Sequence, residues 1–128
     1  MAAPELTEPA TPSGTPARRH HFTAETMGRL IYGPQSLEID FEDRLLAHLK
    51  VAMFTKMRRN ESFSLSWSEP ESSGYGRSSV WVHPTTPLHF RFHGSKRPSL
   101  NRLWIEQFIA SANNTGEMTV VPEPAEGS

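Results

Sequence analysis

The chain has 128 residues, with thirteen Lys/Arg against fourteen Asp/Glu and no cysteine. That length suits one domain and is short for two. The missing cysteines exclude disulfides, thiolate nucleophiles and cysteine-based zinc sites, so the core must hold by packing alone.

Beyond Met1, residues 1–26 carry only Leu6 and Phe22 as large apolar side chains. Burying these cannot offset roughly 1–2 kcal/mol of backbone entropy per residue, so this leader is predicted to be disordered. It has no apolar stretch of the kind a signal peptide needs, and its basic residues come late. Nowhere does the chain approach the roughly 20 consecutive apolar residues that span a bilayer. A soluble, cytoplasmic protein with no membrane partner is expected. Six of the eleven prolines lie outside Met27–Val121. That break bounds one domain at 27–122, followed by a disordered acidic tail at 123–128.

Met27–Gly33 reads as a short strand, and Pro34-Gln35-Ser36 as a turn. From Ser36 to Phe41 the chain alternates, with Leu37, Ile39 and Phe41 on one face and Glu38 and Asp40 on the other, the period of a half-buried strand. The period then changes. Leu45, Leu49, Ala52 and Met53 fall at helical spacing in a segment that runs to Arg59. Asp40 is the expected N-cap, and Lys56, Arg58 and Arg59 complement the helix dipole at the far end. Asn60 is placed to close the helix in the left-handed conformation.

Ser62–Trp67 alternates again, with Phe63, Leu65 and Trp67 inward and three serines on a small, wet face. Ser68–Arg77 is a loop by composition. Ser79–His83 is a strand, Pro84–Pro87 a turn, and Leu88–His93 a strand with Leu88, Phe90 and Phe92 inward. After the loop Gly94–Pro98, Ser99 is the expected cap of a second helix to about Asn113, buried through Leu100, Leu103, Trp104 and Phe108. Met118–Val121 closes the domain. The fold class is α+β, in the order β-β-α-β-β-β-α-β. A mostly antiparallel sheet with both helices on one face is the simplest packing.

Charge is segregated within the domain. Residues 27–122 hold eleven Lys/Arg and nine Asp/Glu, a difference of +2. The acids Glu38, Asp40, Glu42 and Asp43 come early, whereas Arg77, Arg91, Lys96, Arg97 and Arg102 follow with no acid between Arg77 and Arg102. These five are the candidate site residues: a basic surface suited to phosphate, nucleic acid or an acidic protein. Arg91 is predicted to point outward with His89 and His93. Ser99, Asn101 and Arg102 fall at a helix N-terminus, where free N–H groups favour anions. The outward strand positions hold no aromatic side chain for stacking, so contact with nucleic acid is expected through backbone charge, without base reading.

The residues do not point to catalysis. His89 and His93 share a strand face but lie roughly 13 Å apart at about 3.3 Å per residue, too far to share a metal ion. Gly74-Tyr75-Gly76 is neither a dinucleotide fingerprint nor a P-loop, and no G-x-S-x-G elbow occurs. No catalytic residue, metal ligand or cofactor is assigned. A second reading is a protein-interaction or self-associating module, with the serine-faced strand at a sheet edge. The oligomeric state is open.

Several segments resemble a family. Met27-Gly-Arg-Leu-Ile-Tyr-Gly33, IDFEDRLLAHL at Ile39–Leu49, KMRRNESF at Lys56–Phe63, WVHPTTP at Trp81–Pro87, FHGSKRPSLNRLW at Phe92–Trp104 and Val121-Pro-Glu-Pro124 look like small actinobacterial proteins of Microbacteriaceae type that begin MGRLIYG. Members of that family often carry the label ATP-dependent DNA ligase. The resemblance implies a start at Met27, with the leader as an extension, and a link to DNA. It does not bring a ligase active site. Lys50, Lys56 and Lys96 lie in KVAM, KMRR and KRPS, and none is in the K-x-D-G setting a lysyl-AMP intermediate needs.

Overall fold

The computed structural model describes residues 27–125; the leader expected at 1–26 and the last three residues of the expected tail lie outside them. The element order is β1 (Met27–Tyr32), β2 (Leu37–Glu42), α1 (Asp43–Arg58), β3 (Phe63–Ser68), a single 3-10 turn (Glu71–Ser73), β4 (Arg77–Val82), β5 (Leu88–Arg91), α2 (Arg102–Thr115) and β6 (Glu117–Thr119). Strand and helix order and the α+β class are as the periodicities predict.

The strands divide between two three-stranded sheets rather than forming one. The first has the order β2-β1-β5 and is antiparallel throughout; the second has the order β4-β3-β6, with β6 parallel to β3. The division falls at the turn after β4. Pro84 and Pro87 have no N–H to extend a ladder, and the chain leaves β4 to pair with β1. Cross-links hold the crossing: the Gly33 N–H donates to Pro87 O at 2.9 Å, and the Tyr32 hydroxyl donates to Trp81 O.

A single core lies between these layers. Leu30, Ile39 and Phe41 enter it from the first sheet, Phe63, Leu65, Val82 and Met118 from the second, Leu46, Leu49 and Met53 from α1, and Trp104 and Phe108 from α2. The alternation read in β2 and β3 holds for Ile39, Phe41, Phe63 and Leu65, but Leu37, expected inward, is 50% exposed, and Ser66, expected on a wet face, is buried. Gly28 is required by close approach: a Cβ there would sit 2.6 Å from Asp43 Oδ1 and 2.7 Å from the Arg91 carbonyl. It lets β1 lie tight against β5 and the start of α1.

Both helix starts differ from expectation. Glu42, not Asp40, occupies the N-cap of α1, because Asp40 remains in β2 opposite Arg29. The cap of α2 is Asn101 rather than Ser99; its Oδ1 accepts the Leu103 N–H at 3.1 Å. Asn60 does adopt a positive φ, of 63°. The serine-faced strand is not an edge. β3 is the middle strand of its sheet, and Ser66 is buried, its hydroxyl 2.6 Å from that of Ser79. Self-pairing through β3 is therefore closed off.

Candidate functional site

The segment from Arg91 to Arg102 leaves the end of β5 and runs to the first residue of α2. Its backbone is fixed at both ends. Near the start, Asp43 in the first turn of α1 accepts two amides, from His93 at 3.0 Å and Gly94 at 2.9 Å. Near the end, Arg44 Nη1 donates to Ser99 O at 3.0 Å, and the Asn101 N–H donates to His48 Nε2 at 2.8 Å.

The second anchor belongs to a buried polar network. His48 is fully buried and packs its ring 4.6 Å from that of Trp104. Because its Nε2 accepts, its proton lies on Nδ1, which donates to the Arg44 carbonyl at 2.7 Å. Asn101 Nδ2 donates to Glu123 Oε2 and to Pro124 O, both at 3.0 Å. Arg44 binds Glu123 with two parallel bonds, of 2.8 and 2.7 Å. The Arg44 guanidinium, then the Asn101 amide, hold the Glu123 carboxyl down to about 2. Glu123 and Pro124, assigned to the tail by composition, thus lock onto both helices.

Lys96 and Arg97 lie between the two anchors, and Arg91 and Arg102 flank them. Arg91, Lys96, Arg97 and Arg102 are all exposed. Among the described residues none of the four is in an ion pair. Leu100 and Leu103, read as buried helix positions, are instead 47% and 39% exposed beside them. Arg77 stands apart: it opens β4, opposite Ser68 in the second sheet.

Sequence reasoning missed Arg29. Strand pairing sets Arg29 opposite Arg91, two like charges on neighbouring strands. Arg29 is paired with two carboxylates, Glu38 at 2.9 Å and Asp40 at 3.3 Å, whereas among the described residues Arg91 is in no ion pair. A shallow pocket of about 340 Å³ opens there, with Arg29, Asp40, Arg91 and His93 in its lining. The pairing of β1 with β5 across more than fifty residues left no local trace in the sequence.

The lysines are spoken for or outside a cavity. Lys56 is buried, donating to Asn113 Oδ1 and lying 2.8 Å from Glu61 Oε1. Lys50 Nζ lies 5.8 Å from the centre of the Phe92 ring. Neither the pocket beside Arg91 nor the larger groove between the sheets is lined by a lysine. Among the described residues no cluster of three or more His, Asp or Glu is placed to hold a metal ion, and no helix is long and apolar enough to cross a membrane.

A family model described as Domain of unknown function (DUF7882) matches residues 27–123. Neither a curated protein nor a solved structure matches the chain.

Proposed function

Since the chain belongs to the DUF7882 family, a domain of unknown function, we propose its role from its own surface: a non-catalytic module that binds phosphate-bearing polyanions, with nucleic acid as the leading partner. One observation carries the reading. Arg91, Lys96, Arg97 and Arg102 are exposed, among the described residues none of them is in an ion pair, and they lie on or directly beside a backbone segment pinned by Asp43 at His93 and Gly94 and by His48 at Asn101. A preorganised set of cations loses less entropy on meeting phosphates than a free tail does. Arg77 contributes from a separate position on the second sheet, whereas Arg29 beside Arg91 is already paired with Glu38 and Asp40.

The resemblance to actinobacterial proteins labelled as DNA ligases supports a DNA partner and a cytoplasmic setting. Its catalytic part is left aside, because Lys56 is held by Asn113 and Glu61 and no lysine lines either cavity. The one large aromatic side chain in the segment 91–102, Phe92, is half-buried; an outward aromatic does occur, against expectation, at Trp81, 58% exposed, but on β4 of the other sheet. Binding by backbone charge, indifferent to base identity, follows.

The test is fluorescence anisotropy with a labelled DNA duplex across a salt series. Affinity falls as salt rises, with about 0.9 in log–log slope for each phosphate contact. The triple variant Lys96→Ala/Arg97→Ala/Arg102→Ala flattens that slope while its circular dichroism stays native. An acidic protein as partner is the outcome if an acidic polypeptide binds and DNA does not. Affinity insensitive to salt and to the triple variant contradicts the reading.

A further inference from the structure

A second, larger concavity lies away from the basic segment. It is a groove of about 1040 Å³ bordered by the whole of β2 from Leu37 to Glu42 and by Ser78–Val80 of β4. Each of these is an edge strand of its sheet. Among the described residues, neither stretch makes a backbone hydrogen bond outside its own sheet. Two rows of backbone donors and acceptors therefore face one opening, the usual template for an added strand.

The groove has a defined chemistry. Its floor is apolar, with Ile39, Phe41, Trp67, Val80, Trp104 and Val121. Trp67 stands edge-on to Phe41, with ring centres 5.8 Å apart. Leu37 at the rim is 50% exposed. Five carboxylates line the groove, Glu38, Asp40, Glu42, Glu69 and Glu123, and no Lys or Arg does. Arg29, a single positive charge, pairs with both Glu38 and Asp40 from outside, and Arg44 pairs with Glu123. Among the described residues Glu42 and Glu69 are in no ion pair, although Glu69 accepts a hydroxyl from Ser78.

We infer that this groove docks an extended peptide of a partner protein in which apolar residues alternate with Lys or Arg. A strand laid along β2 turns every second side chain toward the apolar floor and the others toward the rim. The floor selects apolar residues and the unneutralised rim selects cations, so charge complementarity names this occupant over an acidic or uncharged strand. The site is independent of the basic segment and takes ligands of the opposite charge.

The experiment titrates the full chain with a labelled octapeptide alternating Val and Arg, read by anisotropy and by tryptophan emission from Trp67 and Trp104. Saturable binding is expected. It weakens at least tenfold when Glu replaces every Arg, and at least tenfold when a central proline blocks strand pairing. Glu42→Lys and Glu69→Lys on the protein each weaken it several-fold. Glu106→Lys, on the exposed side of α2, leaves it unchanged, as does the triple basic-segment variant, which separates this site from the phosphate-binding reading. Equal binding of the Glu peptide, or equal loss with Glu106→Lys, overturns the inference. So does the finding by light scattering that a second copy of the chain already fills the groove.

Discussion

Glu123 ties the end of the domain to both helices, and its ionisation makes that tie sensitive to acid. Arg44 grips it with two bonds and Asn101 with one. In the folded chain its carboxyl titrates at about 2, below the ordinary 4.5. The stability it supplies is therefore complete above about pH 4.5 and is lost as pH falls toward 2. In Glu123→Gln this part of the acid response disappears: thermal midpoints measured from pH 6 to pH 2.5 fall less steeply than in the native chain. Parallel curves would show that Arg44 does not hold the carboxylate as described. Glu61, lowered chiefly by its hydrogen bond to Lys56, adds a smaller response of the same sign. Composition cannot announce a residue of this kind. Glu123 follows a proline in an acidic run that reads as tail, and its partners lie 79 and 22 residues away.

At the scale of elements, periodicity served well and capping served poorly. Ile39 and Phe41 alternate because one face of β2 packs on the core, although Leu37 at its start stays half exposed, and Leu45–Met53 repeats helically because one face of α1 is buried; both are local consequences of burial and can be read directly. The caps turn on one or two residues and on competition. Asp40 has the chemistry of an N-cap, but opposite Arg29 it contributes to a strand. Asp43, in the first turn of α1, reaches across to the amides of His93 and Gly94. That contact shapes the segment carrying the cations, and Asp43→Ala isolates it. Loss of two exposed hydrogen bonds to a charged acceptor lowers stability by about 3 kcal/mol. Amide exchange at Gly94 accelerates, and DNA affinity drops although no positive charge has been removed. Unchanged exchange at Gly94 would mean that the segment is held by something other than Asp43.

For the whole molecule, the order of elements was legible and their partnership was not. Each strand announces itself over a short local stretch, six residues in β1 to β4 and fewer in β5 and β6. Whether β5 joins β4 or β1 depends on what the prolines at 84 and 87 forbid and on where Gly28 permits close approach. The same holds for the site. Arg91, Lys96, Arg97 and Arg102 stand out as an acid-free run, and the fold keeps them together on one pinned segment. Arg77 belongs to the same run yet sits on the other sheet, and Arg29, far away in sequence, arrives beside Arg91. The resulting molecule is polar in the electrical sense, with a cationic segment between β5 and α2 and an acid-rimmed groove between two sheet edges. The first of these is the surface proposed to meet DNA. Titration of the isotope-labelled chain with a short DNA duplex, followed by amide chemical shifts, tests it most directly. The account predicts shifts concentrated at residues 91–102 and at Arg29, fading as salt rises, with the groove strands β2 and β4 quiet beyond Arg77. Shifts centred on the groove, or none at any DNA concentration in low salt, would contradict it.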